Sequence, residues 1–200
     1  MSISVVSKES QFGDIRPFRW LFRHVNAAWL WLPVRVWLGY QWIEAASHKL
    51  TDAAWMVTGE ALQGFWARAV AIPAEGRPLI TYDWYRSFLQ MMLDAQAYTW
   101  FAKVVAVGEL LIGVGLIVGG FTAVAAFFGF FMNWNFLMAG VASSNPIFIP
   151  LEILLILAWR VAGRVGADYF LLRWLARLFN RKASVGGRAG VVERAPAVGD

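Results

Sequence analysis

Arg35, Lys49, Glu109 and Asn133 are polar side chains set in stretches otherwise suited to lipid. Guanidinium, ammonium and carboxamide groups donate hydrogen bonds to carbonyl or anionic oxygens, and a carboxylate accepts them or takes up a proton. Such groups in apolar surroundings could bind the head of a lipophilic ligand, pass a proton, or hold helices together. Between Lys103 and Arg160 the only charged residues are Glu109 and Glu152. An ionised group near the bilayer centre costs about 2.5–3.5 kcal/mol on insertion scales, so each is expected to face inward toward a partner.

Arg35 interrupts the apolar run LPVRVWLGYQWIEAASHKL. Counted from the ends of their helices, Arg35 and Glu109 fall at the same mid-membrane depth, which predicts an Arg35–Glu109 ion pair. That pair either pins two helices or takes part directly in binding or proton transfer. At roughly 100° per residue, Arg35, Gly39, Ala46 and Lys49 share one stripe of the first helix, with Glu44 and His48 on the other side. Lys49 closes that helix, either as a solvated, snorkelling end or as part of a ligand site. In FFMNWNFLMAG, Asn133 and Asn135 point to nearly opposite faces. Asn133 shares its stripe with Gly129 and Gly140, small residues that admit a neighbouring helix, and is expected inward.

The elements that must position these groups are apolar helices. Of 200 residues, 59% are hydrophobic and only 16% charged, with 12 Trp and 15 Phe, too apolar for an ordinary soluble domain. An all-α, integral membrane four-helix bundle is expected, with helices over 25–47, 100–120, 121–142 and 147–165. A polar segment 1–24 precedes a bundle domain 25–178, and a basic tail 179–200, poor in bulky apolar residues, reads as disordered. The segment 51–99 is a mixed insertion rich in Trp and Tyr at positions 55, 66, 82, 84, 85 and 98, with Trp100 just beyond it. It is expected either flat on the membrane surface or as a small water-exposed cap. GGFT at 119–122 is a tight turn, and SSNP at 143–146 ends the third helix.

Basic flanks before the first helix and after the fourth place both termini in the cytoplasm of a prokaryotic plasma membrane, with the insertion outside. The net charge of +5 sits at these flanks, which speaks for topology and against a nucleic-acid face. The absence of cysteine excludes disulfides, thiolate metal centres, iron–sulfur clusters and a Cys nucleophile within the chain. His24 and His48 lie at opposite ends of one helix, which argues against a bis-histidine haem held by one copy. No haem or metal is therefore expected, and no nucleotide-binding or hydrolase motif is present. One Arg, two Glu and four helices offer little for an alternating-access transporter.

The order of motifs resembles the DoxX/DoxD-like family. R-x-x-x-G in the first helix (Arg35, Gly39), the closing Lys49-Leu50, Glu109 in GELLIGVGLIVGG, NWNFLMAGVASSNP and the exit AGRVGADYFLLRWL with Asp168 carry the likeness. Ala46 stands where that family tends to have glycine, and the insertion is long. The resemblance implies a membrane subunit of a quinone-linked oxidoreductase, such as thiosulfate:quinone oxidoreductase, that works with partner subunits. Arg35, Lys49, Glu109 and Asn133 are then the quinone-binding candidates, and quinone is the expected cofactor. The other expectation is a structural or assembly subunit of a larger respiratory or photosynthetic complex.

Overall fold

The computed structural model describes residues 16–171, 173 and 174, and every regular element among them is helical. The tail 179–200 and the first fifteen residues lie outside the described residues. A short amphipathic helix α1 (Arg16–Arg23) leads through a 3-10 turn into α2 (Ala28–Thr51). Three helices follow within the insertion: α3 (Ala53–Met56), α4 (Glu60–Val70) and α5 (Asp83–Asp94). Then come α6 (Tyr98–Val118), α7 (Thr122–Met138), α8 (Asn145–Leu157) and α9 (Trp159–Ala162). SSNP divides between turn and helix: Ser143 has φ +40°, while Asn145 and Pro146 open α8. Proline suits that position because the first N–H groups of a helix have no intrahelical partner.

α2 packs along α6, and α7 packs along α8. α2 and α6 come close at Gly39 and Gly113. A Cβ on Gly39 would lie 2.8 Å from the Gly113 carbonyl, and one on Gly113 would lie 2.7 Å from the Gly39 carbonyl. Two backbones come this close only where neither residue carries a side chain. The main core contains Trp31, Leu38, Trp42, Ile112, Leu116 and Leu155.

The insertion has a core of its own. Leu62, Trp66, Ile80, Tyr85 and Leu89 are buried together with Ala102 of α6 and Ala139, just after α7. These residues form a cap folded onto one end of the bundle, so Trp66 and Tyr85, expected at headgroup level, are core residues instead. Apolar spacing on α4 and α5 explains the difference, because each helix has one apolar face and the two meet face to face. Tyr82, Trp84 and Trp100 remain exposed.

α6 is long and apolar enough to cross a membrane, with mean hydropathy 2.2 over 18 of its residues; α7 and α8 are apolar but shorter. All three carry bare apolar side chains on an outer band, among them Leu111, Val118, Phe127, Phe131 and Ile153.

Candidate functional site

Three donors on α2 set the polar interior. Arg35, Trp42 and Lys49 are seven residues apart, which is nearly two helical turns, so they share one face at intervals of about 10 Å. Each faces an acid from a different later element. Lys49 Nζ donates to Glu109 Oε2 of α6 at 2.6 Å. Trp42 Nε1 donates to Glu152 Oε1 of α8 at 3.2 Å. Arg35 lies against Asp168, whose carboxylate acts on its charge, and donates through Nη2 to the Val165 carbonyl.

The Arg35–Glu109 pair expected from sequence is therefore corrected. Gly39 and Gly113 mark the same level of the antiparallel helices, and Arg35 is four residues to one side while Glu109 is four residues to the other. At 1.5 Å per residue that is about 12 Å along the axis. Side-chain direction widens the gap, because every Cα–Cβ bond tilts toward its helix N-terminus. Arg35 leans toward the start of α2, whereas Glu109 leans toward the start of α6, where Lys49 leans to meet it. The ammonium of Lys49 also lies 5.3 Å from the Trp55 ring centroid, in range of a cation–π contact.

Asn133 of α7 completes the central cluster, with Nδ2 at 2.8 Å from Glu152 Oε1 and 3.0 Å from Oε2. Asn133 and Glu152 are both buried. Gly129, one turn away, leaves the room, since a Cβ there would stand 2.6 Å from Glu152 Oε1. The carboxylate thus draws its three hydrogen bonds from two neutral side chains.

At the far end, Asp168 caps α7. Its Oδ1 accepts from the Phe121 N–H at 2.6 Å and its Oδ2 from the Thr122 N–H at 2.9 Å. A carboxylate at a helix N-terminus satisfies orphan donors and faces the positive end of the helix dipole. Gly119 makes this possible: its φ of +67° reverses the chain, and a side chain there would collide with the Arg35 guanidinium. Arg35 is 1% exposed, and its Nε and Nη1 have no hydrogen-bond partner among the described residues.

A separate feature lies between α6 and α7, which join at a tight turn and enclose a groove of about 920 Å³ roofed by α4 and α5. Its walls are apolar, among them Phe101, Leu111, Phe128 and Met132, and its polar lining side chains are Tyr85 and Asn135. The Tyr85 hydroxyl donates to the Asn135 carbonyl at 3.0 Å and lies 3.3 Å from its Oδ1. Burial pushes the Tyr85 phenol up to about 12. Arg35, Lys49, Glu109 and Asn133 do not line this groove. From sequence, Asn135 is noted as turned away from Asn133 and Tyr85 as an aromatic of the insertion, but neither is joined to a site, because no periodicity links position 85 of one helix to position 135 of another.

His24 and His48 lie at opposite ends of the α2 region: His24 caps the 3-10 turn through an N–H of Asn26, and His48 is in the last turn of α2. Among the described residues no group of three His, Asp or Glu side chains is arranged to hold a metal ion. No protein-family model matches the chain, and no curated protein or solved structure does so either.

Proposed function

We propose that the chain is a four-helix integral membrane protein of DoxX/DoxD-like type, a quinone-binding subunit of an oxidoreductase whose electrons come from a partner subunit. The observation that carries the reading is the α6–α7 groove. Its apolar walls match an isoprenoid chain, its long side meets the bare outer band, and Tyr85 and Asn135 offer a hydroxyl and an amide to a quinone carbonyl. Binding there requires the Tyr85 hydroxyl to exchange the Asn135 carbonyl for the quinone oxygen, and Asn135 Nδ2, which donates one N–H to the Phe131 carbonyl at 2.7 Å, has its second N–H to give.

The membrane part of the reading is supported by length and by surface. α2 has 24 residues and α6 has 21, or about 36 and 31 Å of helix. α7 has 17 residues, and α8 with α9 runs over 145–162, so both are close to the ~30 Å hydrocarbon thickness. An apolar band of this extent is rare on a protein surrounded by water. In this reading two crossings in each direction leave both termini on one side, and the basic flanks before the first helix and after the fourth favour the cytoplasm for that side, with the cap outside.

Extraction of protein purified in mild detergent, followed by chromatography for quinone, tests the proposal. Bound quinone, or saturable binding of an added short-chain quinone that weakens about tenfold in Tyr85→Phe, is the expected result. Absence of bound quinone together with no binding of added quinone would reject it.

A second reading, a structural or assembly subunit, is favoured by one observation: Glu109, Glu152 and Asp168 are each already engaged in tying a later element to α2 or capping α7. A deletion strain whose respiratory complexes migrate unchanged on native gels would reject that alternative.

A further inference from the structure

The chemistry at the α1–α9 end differs from that of the rest of the surface. α1 is fastened to the bundle, with Phe22 against Trp31 at 5.9 Å between ring centroids and the Leu21 carbonyl accepting from Trp31 Nε1 at 2.9 Å. α1 also packs on α9, so their outer faces form one surface. Arg19 of α1 and Arg160 of α9 are exposed, and so are Arg164 and Arg173 in the residues that follow α9. Asp168 is the single acid among the described residues in 16–38 and 153–174, and it is 4% exposed and occupied at α7. The capped end, by contrast, mixes both signs, as in the Arg86–Asp83 pair at 2.7 Å.

Two of these arginines lie over aromatic rings. The Arg160 guanidinium carbon is 4.9 Å from the Trp159 ring centroid, and that of Arg173 is 4.4 Å from the Tyr169 centroid. Stacking orders a guanidinium at little cost in hydrogen bonds and leaves its N–H fork for a planar or tetrahedral anion. Exposed Phe18, Trp20, Trp159, Phe170 and Trp174 stand among the arginines. Rings at that density suit the boundary between headgroups and acyl chains, and a soluble polyanion would leave them bare.

We propose that α1, α9 and the described residues just after α9, 163–171, 173 and 174, form a binding surface for anionic phospholipid, with Arg160, Arg164 and Arg173 on the phosphodiester and the neighbouring rings seated at the glycerol level. This rests on the membrane reading given above but not on quinone binding. Attraction of a basic side chain to an anionic membrane surface corresponds to roughly fivefold per residue.

The test uses the full chain in mild detergent with equal amounts of phosphatidylglycerol and phosphatidylcholine of the same acyl chains, read by native mass spectrometry. Phosphatidylglycerol is expected to be retained preferentially, with the preference falling roughly fivefold for each of R160Q, R164Q and R173Q and unchanged in R68Q at the capped end. Salt should erode the preference of the unaltered chain, a readout independent of whether a variant folds. Equal retention of the two lipids would overturn the proposal, as would equal retention of soluble glycerol phosphate in place of the lipid. Release of the chain from vesicles of either lipid by alkaline carbonate would instead reject the membrane reading itself.

Discussion

The pairing of Lys49 with Glu109 makes a prediction opposite to that of an Arg35–Glu109 pair. Lys49→Met strands a carboxylate whose side chain is 2% exposed, and the expected loss is about 3 kcal/mol, the low end for a broken buried pair because Lys49 itself is 20% exposed. Adding Glu109→Gln should restore most of it. Arg35→Leu and Glu109→Gln should instead add independently, to within about 0.5 kcal/mol, since they share no partner. Thermal unfolding of the double-mutant cycles in detergent separates the two arrangements. Tyr85 supplies a pH dependence. Its phenol is raised from 10.0 to about 12 in the folded protein, so above pH 10 the unfolded chain loses a proton that the folded chain keeps. Its contribution is therefore full below pH 10 and declines as pH rises through about 12. Tyrosinate absorbance should show a late-titrating phenol that is lost in Tyr85→Phe, and the variant should lack that share of the alkaline loss of stability.

Among elements, the contact between α2 and α6 decides the geometry of everything attached to α2. Both glycines at the crossing are needed, since a Cβ on Gly113 would meet Ile43 Cγ1 at 2.6 Å and the Ile43 backbone nitrogen at 2.9 Å. Gly113→Val should force the helices apart and cost about 1–3 kcal/mol, as overpacking of a close contact does. Gly108→Ala is the control, because its nearest neighbour would be the flexible Met132 sulfur at 3.6 Å. A lower unfolding temperature for the first with little change in the second is the expected result. Separation of α2 from α6 should also weaken the Lys49–Glu109 bond, so Gly113→Val and Lys49→Met are expected to be less than additive.

For the whole molecule, the absence of native cysteine allows single thiols to report topology. In intact cells a membrane-impermeant maleimide should label Glu75→Cys in the cap and Ser143→Cys beyond α7, and should label Arg164→Cys only after permeabilisation. Labelling of all three in intact cells would refute a four-span arrangement with cytoplasmic termini. Much of the arrangement is legible in the sequence, because local rules fix it: apolar runs give helices, Gly119-Gly120 gives a reversal, and a stripe at 100° spacing puts Arg35, Gly39, Ala46 and Lys49 on one side of α2. The same spacing turns Asn133 inward. Partner choice is not local. Whether Glu109 meets Arg35 or Lys49 depends on the axial register of two antiparallel helices, set by the contact of Gly39 with Gly113, and on each side chain leaning toward its own N-terminus. Residues 85 and 135 likewise meet only because the cap folds back over α6 and α7. The sequence determined which residues face inward; the tertiary structure alone decided which of them touch, because a shift of two helical turns leaves the face unchanged and replaces every partner.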